Sequence, residues 1–339
     1  MLPDLTAGVA LLALTAYVVL GGADFGAGFW DLTAGGAKRG APVRAMIKRA
    51  MSPVWEANHV WLIFLLVVLW TGFPEAFGSI TSTLAIPLFV AALGIVLRGG
   101  AFALKGEAAT IAEARALGAT FALASVIVPF FLGAAAGAIA AGEVPVGNAS
   151  GDEWSSWTQS TSILVGALAV AAGAHLAAVF LGADSRRAGE TELVHAFRAR
   201  ALGSGVVAGA LAIAGLLVVR SDVPDLYDDL TSGAGLACVL ASGAAGLVTL
   251  WLEWRERFEL ARYTAAAAVG AIVAGWAVAQ EPYLLPPELT VHEAAAPDAT
   301  LVALLVATGL GLLILIPALT WLFRLALSGR LVYEDKPRP

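Results

Sequence analysis

Long apolar stretches recur along the chain and constrain its fold more than any other feature of the sequence. With 59% hydrophobic and 14% charged residues, the chain cannot cover a water-soluble surface. A helix of about 20 apolar residues crosses the hydrocarbon core of a bilayer, which is about 30 Å thick. Stretches of this kind lie at 5–27, 54–72, 79–98, 117–141, 160–182, 201–219, 232–251, 264–280 and 299–323. The sequence therefore predicts an all-α, polytopic membrane protein with nine transmembrane helices.

The distribution of basic residues predicts the orientation of these helices, because Lys and Arg stay on the cytoplasmic side of short loops. With the N-terminus outside and the C-terminus cytoplasmic, 19 of the 20 basic residues lie on the cytoplasmic side or at its border. Arg220 alone falls outside. The short loops predict one integral membrane domain, with four-helix bundles at 1–141 and 160–280 and an additional peripheral helix at 299–323.

The charge and cysteine content exclude several other functions. Cys238 is the single cysteine, so an internal disulfide or a cysteine-based metal site is not expected. The formal net charge of −6 resides mostly in the predicted outer loops, and no basic surface indicates nucleic-acid binding.

Ionisable residues lie near the predicted cytoplasmic ends of the first three spans. Asp24 lies near the inner end of the first span, Glu56 and His59 lie in the first two turns of the second, and Arg98 ends the third. A charge at mid-membrane costs about 2.5 to 3.5 kcal/mol on insertion scales, and less near the interface. Because short loops make consecutive helices neighbours, these side chains are expected to come together. Arg98 is expected to pair with Asp24 or Glu56 and offset part of this cost.

Glu56 and His59 are three residues apart and are expected to share a helix face, where they could exchange a hydrogen bond or a proton. A carboxylate and an imidazole within one turn can titrate near neutral pH when partly buried. The pair therefore predicts a role in proton handling. For Asp24 and Arg98, a structural ion pair that also caps helix ends is the alternative.

Small and aromatic residues flank these charges and are expected to position them. Gly22 and Gly26 form a small-xxx-small pair, which lets two helices approach closely. Asn58, Trp55 and Trp61 could orient the carboxylate or fill space, and tryptophan near a helix end is typical of the membrane interface. The sequence predicts packing roles for these five residues.

The order of these motifs resembles subunit II of the cytochrome bd quinol oxidase. The resemblance is carried by the Gly-rich, Asp-containing stretch 21–26, by the Trp-Glu-Ala-Asn-His-Val-Trp-Leu motif at 55–62, and by Arg98 on the third helix. The helix count and the N-out orientation agree along nearly the whole chain. The motif of the second helix is the most specific of the three.

The resemblance implies a partner-dependent role in a bacterial or archaeal cytoplasmic membrane. In that family, subunit I carries haems b and d, oxidises quinol and reduces dioxygen to water, while subunit II is a haem-free companion of similar fold. No catalytic residue, haem or metal is then expected in this chain. Carboxylates matching Asp24 and Glu56 are associated with proton uptake from the cytoplasm. The resemblance also leaves room for a structural quinone or lipid and for small accessory subunits.

Two departures mark the chain as a divergent member. The first motif usually carries a further acidic residue where this chain has Gly21. In the second motif, Glu56, Ala57 and His59 stand where Asp, Gly and then Glu or Gln are usual. Glu56 keeps a carboxylate on a longer arm, whereas His59 introduces a base that the usual motif lacks.

Two other functions fit parts of the sequence. His59 and His175 lie at similar depth in the second and fifth spans and could ligate one haem from both sides, as in a b-type cytochrome. Alternatively, Asp24, Glu56 and Arg98 could bind an ion or a substrate in a stand-alone proton-coupled transporter. Such transporters often have inverted repeats and sites near the midplane, whereas these charges lie near one face.

Overall fold

The computed structural model describes residues 1–36, 38–52 and 55–327. Within these ranges, nine helices are long and apolar enough to cross a membrane, which confirms the predicted number of spans and the all-α fold. They lie at Leu2–Leu32, Trp55–Gly72, Ala85–Leu104, Ile111–Ala140, Ser160–Arg187, Thr191–Asp222, Gly233–Trp254, Phe258–Gln280 and Asp298–Leu322. Position 54, the predicted start of the second span, and the predicted C-terminal tail beyond 327 lie outside the described residues.

Short elements connect these spans. The first span is one continuous helix, in which α1 (Leu2–Ala16) and α2 (Gly22–Leu32) are joined by a π-helical turn at Tyr17–Gly21. Two short strands, β1 (Tyr283–Leu285) and β2 (Leu289–Thr290), pair antiparallel between the last two spans. The α-helices of the described residues are α1 (Leu2–Ala16), α2 (Gly22–Leu32), α3 (Ala41–Met51), α4 (Trp55–Gly72), α5 (Pro74–Thr83), α6 (Ala85–Leu104), α7 (Ile111–Ala140), α8 (Ser160–Arg187), α9 (Thr191–Asp222), α10 (Pro224–Leu230), α11 (Gly233–Trp254), α12 (Phe258–Gln280) and α13 (Asp298–Leu327).

The bounds predicted for the third span, 79–98, are wrong. The apolar run contains two helices, because α5 ends at Thr83 and α6 begins at Ala85 and continues to Leu104. The residues before the break, 79–83, are uncharged but carry four hydroxyl side chains, whereas α6 is apolar from Ala85 up to Arg98. Arg98 therefore lies inside the span, about 9 Å before its end at 1.5 Å per residue, instead of at the end.

The connection between the first two predicted spans contains the amphipathic helix α3, which hydropathy missed because the helix is too short to cross a membrane. Val43, Met46 and Ile47 are buried on one face of α3. Arg44, at the edge of this face, forms an ion pair with Asp31 of α2, with Nε and Oδ1 2.8 Å apart. We call the end of the molecule that carries α3 the α3 end, and the opposite end, with β1 and β2, the hairpin end.

The first and fifth spans pack closely at a contact between glycines. A Cβ atom on Gly26 would overlap the carbonyl oxygen of Gly173 in α8, and one on Gly173 would lie 2.7 Å from the carbonyl oxygen of Gly22. The indole Nε1 of Trp30 donates a hydrogen bond of 2.7 Å to the carbonyl oxygen of Ala174. This contact joins the two predicted four-helix halves through one shared core, and their division into separate bundles stays a prediction.

Candidate functional site

Asp24 is buried in α2, with 5% of its surface exposed. Its Oδ2 atom accepts a hydrogen bond of 2.7 Å from the side-chain amide of Asn58, which is 4% exposed in the first turn of α4. A buried carboxyl group without a partner is costly, so this bond holds α2 and α4 in register. The structure thus gives Asn58 the orienting contact that the sequence left open beside simple packing.

Arg98 of α6 lies beside Asp24 and is 1% exposed. Its Nη2 atom donates to the backbone carbonyl oxygen of Asp24 at 2.9 Å, and its Nε atom donates to Ser125 Oγ of α7 at 2.9 Å. The guanidinium also lies over the rings of Phe25 and Phe121, 4.7 and 5.0 Å from their centroids. The expected contact with Asp24 is therefore made through the backbone, and three helices, α2, α6 and α7, meet at this buried cation. We call Asp24, Asn58, Arg98 and Ser125 the Asp24 cluster.

Glu56 does not join the Asp24 cluster. Its side chain is exposed, whereas Asn58, two residues further along α4, is buried. Residues two apart on an α-helix point about 200° apart, so a helix that directs Asn58 inward directs Glu56 outward. The outward face of α4 continues with apolar side chains at Val60, Ile63 and Val67.

His59 is half-buried and is held by rings and by its own helix. Its Nδ1 atom lies 3.0 Å from the carbonyl oxygen of Trp55. The imidazole packs against Phe25, Tyr17 and Trp55, at centroid distances of 5.6, 6.0 and 6.3 Å. The described hydrogen bonds and ion pairs do not link His59 to Glu56, so the expected exchange within this pair has no direct contact in the structure.

The remaining predicted residues pack around the cluster. Trp55 lies against Phe102 of α6, with ring centroids 5.3 Å apart, and Trp61 lies 6.4 Å from the ring of Phe64. Gly22 and Gly26 lie at the contact with α8, on the other side of α2 from Asn58. The Trp55–Phe102 contact thus joins α4 to α6, and the two glycines join α2 to α8.

A second buried polar pair, which sequence reasoning missed, lies between α8 and α11. Glu253 is fully buried, and its Oε1 atom lies 3.5 Å from Nε2 of His175, which is 8% exposed. The predicted seventh span ended at 251 and left Glu253 in a loop, whereas α11 continues to Trp254. One available signal was a single carboxylate inside the apolar run Trp251-Leu252-Glu253-Trp254.

The two histidines do not fit the bis-histidine haem site considered from the sequence. The Nε2 atom of His175 faces the Glu253 carboxyl group, and its Nδ1 atom lies 3.2 Å from the carbonyl oxygen of Ala201. An iron bound to Nε2, at about 2 Å, would have to occupy the 3.5 Å gap to Glu253. Among the described residues, no group of three or more His, Cys, Asp or Glu side chains could hold a metal ion.

Comparisons with known proteins match nearly the whole chain. The family model described as "Cytochrome bd terminal oxidase subunit II" matches residues 2–326. Among solved structures, a chain of "The structure of bd oxidase from Geobacillus thermodenitrificans" superposes with a TM-score of 0.81 at 26% sequence identity. That superposition covers 96% of this chain and 98% of the other.

Two curated proteins of Bacillus subtilis (strain 168) are similar over shorter stretches. The putative cytochrome bd menaquinol oxidase subunit II is 32% identical over 84 residues, which are 25% of this chain and 24% of the relative. The cytochrome bd ubiquinol oxidase subunit 2 is 27% identical over 117 residues, which are 34% of each chain. These alignments thus span 24% and 34% of the length of the curated relatives.

Proposed function

Because the chain belongs to the cytochrome bd terminal oxidase subunit II family, we propose that it serves as the haem-free helical subunit of such an oxidase. Its partner, a subunit I that carries haems b and d, oxidises quinol and reduces dioxygen to water. The observation that carries this proposal is the agreement of the fold over almost the full length of both chains. The relatives' names point to a quinol as the electron donor, and the complex belongs in the cytoplasmic membrane of a bacterium or archaeon.

The outward position of Glu56 supports a partner on this face of α4. A carboxylate that faces lipid at the end of a span is costly, although less so than at mid-membrane, and this cost falls when another protein covers the carboxylate and supplies polar partners. Glu56 stands at the start of a stripe that continues through Val60, Ile63 and Val67, one helical turn at a time. We therefore place the docking surface for subunit I along this stripe.

The Asp24 cluster supplies the elements of a proton path beside that surface. Reduction of dioxygen to water consumes protons, and a carboxyl group can accept and release one where water is excluded. Glu56 on the outside of α4 and Asp24 on the inside are separated by the first turn of this helix, which also carries Asn58. In the predicted orientation the α3 end is cytoplasmic, so Glu56 and Asp24 take up protons from the cytoplasm, with Arg98 and His59 next to them.

The proton path is tested with Glu56→Gln in the intact complex, reconstituted in liposomes. We expect oxygen consumption and charge translocation to fall by on the order of tenfold or more, because an amide cannot accept the proton. Glu192→Gln, which changes an exposed glutamate at the same end of the molecule, is the matched control and should leave both rates unchanged. Unchanged rates in Glu56→Gln would show that this residue is outside the path.

The subunit assignment is tested by isolating the complex through an affinity tag on this chain. We expect co-purification of a haem-bearing membrane subunit and no haem absorbance from this chain alone. A purified single chain with stoichiometric haem b, lost in His59→Ala and His175→Ala, would instead establish a b-type cytochrome. Proton-coupled transport by the single chain in liposomes would likewise contradict the assignment.

A further inference from the structure

We propose that His175 and Glu253 form a second buried protonation site, which holds one exchangeable proton between His175 Nε2 and Glu253 Oε1. The two atoms are 3.5 Å apart, and the pair lies on the side of α8 that faces α9 and α11. The Asp24 cluster instead lies between α2, α4, α6 and α7. The inference goes beyond the proposed function, which does not use this pair.

The hydrogen-bond partner of the ring fixes its tautomer. Nδ1 of His175 lies 3.2 Å from the carbonyl oxygen of Ala201, and a carbonyl oxygen can only accept, so Nδ1 carries a hydrogen. A neutral ring then presents the lone pair of Nε2 to Glu253. A lone pair facing an ionised carboxylate is repulsive. The gap therefore needs one proton, on either Glu253 Oε1 or His175 Nε2, to become an attractive contact.

The burial of Glu253 strengthens this requirement. Within the described part of the chain, neither of its carboxyl oxygens has a hydrogen-bond partner, and 0% of the residue is exposed. An ionised carboxylate in such surroundings is strongly disfavoured unless a cation faces it. One proton shared with His175 gives the pair no net charge, either as carboxylic acid with neutral imidazole or as carboxylate with imidazolium.

Charged side chains on the surrounding helices have other partners, so His175 is the group placed to balance Glu253. Thr249, one turn before Glu253, donates to the hydroxyl of Thr264 at 2.7 Å. On α9, Arg198 pairs with Glu256, and Arg200 lies over the rings of Trp30 and Phe197. Glu259 of α12 pairs with Arg262 and with Arg187, and Arg187 also pairs with Asp184. Asp24 accepts its hydrogen bond from Asn58.

Titratable side chains lie between the pair and the α3 end. Glu256 follows Glu253 by three residues, just beyond the end of α11, and its backbone N–H donates to the carbonyl oxygen of Glu253 at 2.9 Å. The carboxylate of Glu256 lies 3.2 Å from Nδ1 of His195 and 3.1 Å from Nη1 of Arg198. His195 is 60% exposed along its side chain, so titratable groups reach from the solvent to within one helical turn of Glu253.

The position of the imidazole is set by a glycine of α9. A Cβ atom on Gly205 would lie 2.8 Å from Cε1 and 3.0 Å from Nδ1 of His175. A larger residue would push the ring away from its place between Ala201 and Glu253. The absence of a side chain at Gly205 is therefore part of how the site is built.

Infrared and nitrogen NMR spectra of the intact complex at neutral pH test the proposal. A proton on Glu253 gives a carboxylic C=O band that shifts in D2O and is lost in Glu253→Gln. A proton on His175 gives an imidazolium ¹⁵N signal that is lost in His175→Gln. We expect one of these two signatures, at one proton per complex.

Either of two results would overturn the proposal. The first is an ionised Glu253 beside a neutral His175, and the second is a fully protonated Glu253 beside a fully protonated His175. The wild-type D2O shift needs no variant, so the test stands even if a substitution impairs assembly. Glu259→Gln, which removes a half-exposed, ion-paired carboxylate, is the matched control and should leave both signatures in place. Glu56→Gln should leave them in place as well, so failure of the proposed proton path and failure of this site are distinguishable.

Discussion

At the scale of single residues, Arg98 shows how a charge is accommodated inside an apolar bundle. Its guanidinium spreads the charge over a planar group that donates in several directions and stacks on rings. In this chain those directions are filled by the carbonyl oxygen of Asp24, the hydroxyl of Ser125 and the faces of Phe25 and Phe121. These contacts offset the cost of desolvation and leave a cation next to the Asp24 carboxyl group.

Replacing Arg98 should destabilise the protein through Asp24 as well as through the lost contacts. Arg98→Met keeps an unbranched side chain but leaves the Asp24 carboxyl group buried without its neighbouring cation. The variant also loses the two hydrogen bonds of the guanidinium, to the Asp24 carbonyl oxygen and to Ser125, and a hydrogen bond from a charged group contributes roughly 1.5 to 3 kcal/mol. The free energy of unfolding in detergent or lipid micelles measures the loss, and Arg98→Lys should lie in between, because an ammonium lacks the planar fork.

The control for Arg98 is Arg220→Met. Arg220 is exposed and lies over the ring of Tyr227 with 5.8 Å between Cζ and the centroid. Exposed interactions of this kind contribute at most about 1 kcal/mol. Equal stability of Arg98→Met and Arg220→Met would refute the account of Arg98 as a structural and electrostatic partner of Asp24.

At the scale of helices, the glycines decide where α2 can lie. The contact of Gly22 and Gly26 with Gly173 brings the backbones of α2 and α8 together, and the hydrogen bond from Trp30 to Ala174 fixes their register. The π-helical turn just before α2 changes its rotation relative to α1. Together these features turn Asp24 away from α8 and toward α4 and α6.

Gly26→Ala should therefore separate α2 from α8. The added methyl group would overlap the backbone of Gly173, and such overpacking costs roughly 1 to 3 kcal/mol or more. The yield of folded protein and its thermal midpoint should both fall. Gly8→Ala in the same span is the matched control, because nothing lies within 4 Å of the added methyl group.

At the scale of the whole molecule, orientation in the membrane decides from which side the proposed proton path through the Asp24 cluster would be supplied. The distribution of basic residues predicts that the α3 end is cytoplasmic. The Asp24 cluster lies in the half of the first span nearer that end: Asp24 is eight residues before Leu32, or about 12 Å at 1.5 Å per residue. With the opposite orientation, the same side chains would draw protons from outside.

Cysteine labelling in intact cells tests this orientation. In a Cys238→Ser background, which removes the single native cysteine, we expect a membrane-impermeant thiol reagent to label Thr158→Cys at the hairpin end. Glu190→Cys at the α3 end should be labelled only after the cells are opened. The reverse pattern would place the Asp24 cluster near the outer face and rule out uptake from the cytoplasm through it.

The sequence predicted some of the side-chain contacts of the site correctly and others not. Asp24 and Arg98 were placed together from the order and direction of their helices, and the structure brings them into contact. Glu56 and His59 were paired by spacing alone, but the rotation of α4 turns Glu56 outward, while His59 packs among rings. Glu253 was missed because a hydropathy boundary three residues early removed it from its helix.

The sequence by itself determined the class of protein, the number of spans, the ionisable residues near the ends of the first three spans, and the resemblance to its family. These properties depend on local composition and on short motifs, which can be read from the sequence without knowing how distant segments pack. The tertiary structure alone decided that Asn58 and not Glu56 meets Asp24, and that His175 meets Glu253. Such contacts depend on how each helix is rotated and how closely it approaches its neighbours, and these are set by packing between distant segments.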